Sequence, residues 1–126
     1  MTSEGRLVLL AGSLLAAIGV GLGAFGAHAL NDALGPKELG WWQTAVQYQM
    51  WHAVALIAVA ALPVRIGWAA TLLAGGTIIF SGSLYVMALT GVRWLGAVTP
   101  VGGTLMIGGW LLLAWRVWSS GALANR

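Results

Sequence analysis

Residues 7–30 contain no formally charged side chain, and at about 1.5 Å of rise per residue a helix of that length exceeds the roughly 30 Å hydrocarbon core of a bilayer. That run decides the solvent. A water-soluble domain needs a charged coat, yet only six Lys or Arg and three Asp or Glu occur in 126 residues, of which 60% are hydrophobic. Lipid tails need no such coat and are the expected surroundings. The cations stand singly, so the net charge of +3 reads as a topology signal; a nucleic-acid surface would need them clustered. Cysteine is absent, which removes disulfides, thiolate metal sites and iron–sulfur clusters together.

Four spans follow along the chain. The first, residues 7–30, outruns the roughly 7–15-residue core of a signal peptide, and although Ala27-His28-Ala29 has the small-residue spacing of a cleavage site, the span is expected to be retained. A connection over residues 31–40 carries Asp32, Lys37 and Glu38, and its Gly35-Pro36 pair can stop one helix and start the next. The second span, about 41–62, begins at Trp41 and Trp42, placed as an interfacial aromatic belt, and closes at Pro63 and Arg65. The third, about 67–90, ends at Gly91 with Arg93 and Trp94 as interfacial anchors. Thr99 is expected to cap a fourth span of about 99–118 with Pro100 in its first turn, leaving 91–98 as a connection and 119–126 as a polar tail. The predicted fold is an all-α, integral membrane four-helix transmembrane bundle, a single domain over 1–126. Arg6, Arg65, Arg116 and Arg126 share one side, against Lys37 and Arg93 offset by Asp32 and Glu38, so both termini are expected in the cytoplasm.

Small residues supply the packing signal: Gly19, Gly23 and Ala27 recur every fourth position, as do Gly12 and Ala16. Such stripes let helix backbones approach closely where lipid offers no hydrophobic drive to associate. At about 100° per residue, Trp41, Ala45, Tyr48, Gln49 and His52 share one face of the second helix, with Gln43 and Gln47 opposite. His28 shares a face with Ala17, Gly21 and Ala24, a stripe expected to meet another helix, and Thr77, Ser81 and Tyr85 recur every fourth residue. Each polar group inside a span costs free energy unless partnered. The sequence therefore predicts a polar pocket between helices one, two and three, lined by His28, Tyr48, Gln49, His52, Ser81 and Tyr85, in the half of the membrane away from the termini. The plainer reading of the same residues is hydrogen bonding between helices, at roughly 0.6 kcal/mol per bond.

No Asp or Glu lies within a span, which argues against a membrane-carboxylate proton pump and against hydrolytic chemistry needing an acid to orient His or Ser. Metal ligands and catalytic residues are expected to be absent. Haem held by His28 and His52 would need both at one depth, whereas they differ by roughly 10 Å on these boundaries. A quinone against Tyr48 and His52 is the other redox alternative.

The runs GAFGAHAL at 23–30, WWQTAVQYQMWHAVAL at 41–56, FSGSLYVMALTG at 80–91 and TPVGG at 99–103, followed by Gly109-Trp110, resemble the YgdD-like family of small inner-membrane proteins (domain of unknown function 423, related to animal transmembrane protein 256). The resemblance covers nearly the whole chain. It implies a four-helix protein of the bacterial inner membrane with no established activity, and brings no catalytic residue. Its characteristic positions, His28, Gln47, Tyr48, His52, Ser81, Ser83, Tyr85 and Pro100, overlap the polar pocket, whereas Trp41-Trp42 look particular to this chain. The expected function is a non-enzymatic accessory or interaction protein of a membrane assembly, with the lipid bilayer, further copies or other membrane proteins as partners and no nucleic acid. A small oligomeric channel or transporter is the alternative.

Overall fold

The computed structural model describes residues 1–120, so Arg126 and most of the polar tail lie outside the described residues. Helix α1, Ser3–Phe25, starts on Thr2, whose Oγ1 accepts the Gly5 N–H at 2.9 Å while Glu4 meets the positive end of the helix dipole. One π-helical turn, Gly26–Leu30, extends it. Helix α2, Pro36–Val59, uses Pro36 in its first turn, where a missing N–H costs nothing, and stops three residues short of the expected Leu62. Helix α3, Gly67–Thr90, keeps the predicted bounds and ends because Gly91 turns left-handed at φ 72°, its N–H donating to Met87 O at 2.8 Å.

A short 3-10 turn, Arg93–Ala97, leads into α4, Thr99–Ser120. The start of α4 falls where predicted but not by the predicted device. Thr99 Oγ1 donates back to Leu95 O and shares a 2.6 Å hydrogen bond with Ser83 Oγ. Thr99 thus fastens α4 to α3 rather than capping its own helix.

Among the described residues three helical runs are long and apolar enough to cross a membrane: Ser3–Leu30, Gly67–Thr90 and Arg93–Ser120. Helix α2 matches α3 in length, 24 residues each, but Gln43, Gln47, Gln49 and His52 interrupt its apolarity.

The helices pack in chain order, α1 on α2, α2 on α3 and α3 on α4, with a minor approach of α1 to α3 and no seam between α1 and α4. Glycines set the closest approaches. Gly5, Gly12, Gly19 and Gly26 are the buried glycines of α1 and its π turn, one every seven residues. A Cβ on Gly12 would lie 2.9 Å from Ala53 O, and one on Gly26 would lie 2.5 Å from Trp42 Nε1. Gly76, Gly102 and Gly109 do the same at the α3–α4 seam, where a Cβ on Gly109 would lie 2.9 Å from Leu73 Cγ.

The core is chemically uneven. Near the chain's N-terminus, Val59, Ile66, Ala69 and Leu113 form one apolar cluster and Leu56, Ala70 and Leu73 another. Toward the 31–35 and 91–98 connections, the clusters around Trp42 and Ala45 include Tyr85.

Candidate functional site

Gln49 joins three helices. Buried on α2, it donates from Nε2 to Leu15 O of α1 at 2.8 Å and accepts at Oε1 from the Tyr85 hydroxyl of α3 at 2.6 Å. One turn away, Ser81 Oγ donates to Ala45 O at 2.7 Å, a second tie between α3 and α2. His52 brings in the fourth helix: its Nε2 lies 3.0 Å from Trp110 Nε1 of α4, and its Nδ1 lies 2.9 Å from Tyr48 O. An indole N–H can only donate, so His52 Nε2 is the acceptor and the ring proton sits on Nδ1, donating to the Tyr48 carbonyl. The Tyr48 ring packs between elements, 4.5 Å from Phe80 and nearly parallel to His52 at 6.2 Å.

The structure therefore brings Tyr48, Gln49, His52, Ser81 and Tyr85 to the α2–α3 junction, as the helical faces predict. It does not bring His28. That side chain is exposed on the π turn, and Ala17, Gly21 and Ala24 of its stripe are exposed with it; a Cβ on Gly21 would meet nothing within 4 Å. The face of α1 that meets α2 is the one bearing Gly12, Gly19 and Gly26. His28 and His52 accordingly form no pair, and both ring nitrogens of His52 are engaged in hydrogen bonds. No group of three metal-ligating side chains occurs among the described residues.

Trp42 is a second correction. Placed by sequence at the membrane interface, it is 3% exposed, donates from Nε1 to Leu22 O at 2.9 Å, and meets Tyr85 edge-on at 4.7 Å. Only the absent side chain of Gly26 lets so large a ring reach α1. Trp41 beside it is half-buried with Lys37 Nζ 5.5 Å from its ring centre. Thr77, fully buried, satisfies its hydroxyl on Leu73 O at 2.6 Å. Among the described residues no buried side-chain nitrogen or oxygen lacks a partner. Gln49, His52, Ser81 and Tyr85 thus fasten one helix to another, while the half-buried Tyr48 hydroxyl makes no hydrogen bond to a described residue.

Unsatisfied polar groups lie outside. Gln43 and Gln47, one turn apart on α2, are exposed and hydrogen-bond to no described residue. With Gly23, Gly26 and Ala27 of α1 they line a groove of about 260 Å³. Helical periodicity sets these amides opposite the pocket face, and only Gln47 stands among the characteristic positions of the family resemblance. The available signal was two amides at i and i+4 on one face of a helix.

A family model described as "Protein of unknown function (DUF423)" matches residues 22–103, which contain Trp42, Gln49, His52, Ser81 and Tyr85 but not Trp110 or the Leu15 carbonyl. A UPF0382 membrane protein of Staphylococcus haemolyticus is 46% identical over 86% of this chain and 92% of its own length. The UPF0382 inner membrane protein YgdD of Escherichia coli is 44% identical over 90% of this chain and 88% of its own. A third relative, from Staphylococcus aureus, is 41% identical over 86% of this chain and 92% of its own. No solved structure matches the chain. Long apolar helices and relatives named for the inner membrane agree on a multi-pass protein of that membrane, and the chain belongs to the DUF423 family of UPF0382 membrane proteins.

Proposed function

We propose that this protein is a non-enzymatic accessory component of a membrane assembly, and that it engages its partner through the groove between α1 and α2. The observation that carries the reading is the pair Gln43 and Gln47, exposed on α2 and without a described hydrogen-bond partner. An amide facing hydrocarbon without a partner is costly, and hydrogen bonding to a neighbouring transmembrane helix relieves that cost. The glycine and alanine positions of α1 beside the amides leave room for such a helix to approach. A closed interior supports a role exercised at the surface, since the cluster around Gln49 and His52 spends its hydrogen bonds on the fold.

The proposal includes four spans with both termini in the cytoplasm, α2 crossing the bilayer between α1 and α3. Arg6, Arg65 and Arg116 at the end near the termini support it, against Lys37 and Arg93 beside Asp32 and Glu38 at the other. The groove then opens in the outer half of the membrane. Tagged protein gently extracted from its native membrane should carry a stoichiometric membrane partner, and Gln43→Leu with Gln47→Leu should release it. Recovery of the protein alone, as a monomer, would contradict the reading.

A further inference from the structure

We propose that the opposite end of the molecule holds one anionic phospholipid, its phosphate taken by Arg65 and Arg116 and an acyl chain laid along the cleft between α1 and α3. A polar cavity of about 530 Å³ opens there, lined by Glu4, Arg65, Gly67, Trp68, Thr71 and Arg116. Its size falls within the roughly 300–1,000 Å³ of small-molecule sites. Neither arginine forms an ion pair among the described residues. Glu4, the one carboxylate lining the cavity, approaches Gly67, the first residue of α3, where a helix N-terminus favours negative charge. Two cations against one anion leave a single positive charge, which a phosphodiester monoanion neutralises.

The adjoining surface distinguishes a lipid from a free anion. A second, apolar cavity of about 250 Å³ runs along Leu7 and Ala11 of α1, Leu56 of α2, and Ala70 and Ala74 of α3. It shares Glu4, Gly67 and Thr71 with the polar cavity, so the two adjoin, one charged and the other apolar. A phosphate ion fills only the first part. A phospholipid fills both, with Trp68, 70% exposed, placed at headgroup level. Basic pockets between transmembrane helices take anionic headgroups by this combination. The Gln43 and Gln47 groove lies at the other end of α2, so this inference stands independently of the proposed partner.

The test is native mass spectrometry of the full-length protein released from bilayers containing phosphatidylglycerol and phosphatidylcholine in equal amounts. One phosphatidylglycerol should be retained per chain. Arg65→Gln and Arg116→Gln should each lower its preference over phosphatidylcholine by about fivefold. Glu4→Gln, which removes the competing carboxylate, should raise it. Arg93→Gln, a charge loss at the far end, should leave it unchanged. Ala74→Phe, which fills the apolar cleft, should expel the lipid while both arginines remain; helix content by circular dichroism reports that each variant is folded. Equal retention of the two lipids, unchanged preference in the double arginine variant, or displacement of the lipid by inorganic phosphate alone would overturn the proposal.

Discussion

Gln49 concentrates the logic of the interior, because one amide meets both α1 and α3 and its two hydrogen bonds leave neither end free. Tyr85→Phe removes the donor to Oε1 and should destabilise the protein by about 0.6–1.7 kcal/mol, the range for hydrogen bonds between membrane helices. A double-mutant cycle with Gln49→Met, read by unfolding in detergent, should return that coupling; additivity of the two substitutions would show that the bond contributes nothing. The facing of Gln49, His52, Ser81 and Tyr85 was legible from helical periodicity alone. Most of their partners were not, since Leu15 O, Ala45 O and Tyr48 O are backbone groups that any residue offers. Trp110 was equally hidden: the sequence marks it only beside Gly109 in the family resemblance, and nothing there pairs its indole with His52.

The seven-residue recurrence of glycine along α1 explains why the stripe bearing His28 was the wrong one. Seven residues turn a helix by about 700°, within about 20° of two full turns, so Gly5, Gly12, Gly19 and Gly26 stay on one line. A spacing of four drifts by about 40°, and Ala27, at the end of such a series, is exposed beside the groove. In water the buried stripe would differ from its surroundings by hydrophobicity. In lipid both faces are apolar, so small residues at Ala17, Gly21 and Ala24 look as good as those at Gly12 and Gly19. The same substitution at two glycines separates the faces. Gly12→Ala should destabilise the protein by about 1–3 kcal/mol, since its Cβ meets the Ala53 carbonyl. Gly21→Ala, with nothing within 4 Å, should be neutral or stabilising by up to about 1 kcal/mol through helix propensity. Thermal unfolding of the two variants side by side is the check, and equal losses would contradict the assigned interface.

Packing in chain order gives the molecule two unlike ends and an open flank. One end is fastened by polar ties, the other is packed through Leu56, Leu73 and Val59 and rimmed by Arg65 and Arg116. The gathering of polar groups was legible in the sequence, because Gln49 and His52 just past the middle of α2 and Tyr85 on α3 fall within reach of one depth. The order of packing was not, since nothing in an apolar surface announces which neighbour it lacks. The absence of cysteine makes the path of α2 directly measurable. With four spans, Ser3→Cys and Ser119→Cys should react with an impermeant maleimide only from the cytoplasmic face and Asn31→Cys only from the outer face. Ser3 and Ser119 on opposite faces would mean that α2 does not cross.

If the exposed amides of α2 are where this protein meets its assembly, a photoreactive side chain placed there should report it in living cells. Installed at Gln47 it should crosslink to one defined membrane protein or to a second copy, whereas the same group at Ile78, 60% exposed on α3, should not. Identical crosslinking patterns from Gln47 and Ile78, or lipid adducts alone from both, would contradict a partner surface between α1 and α2.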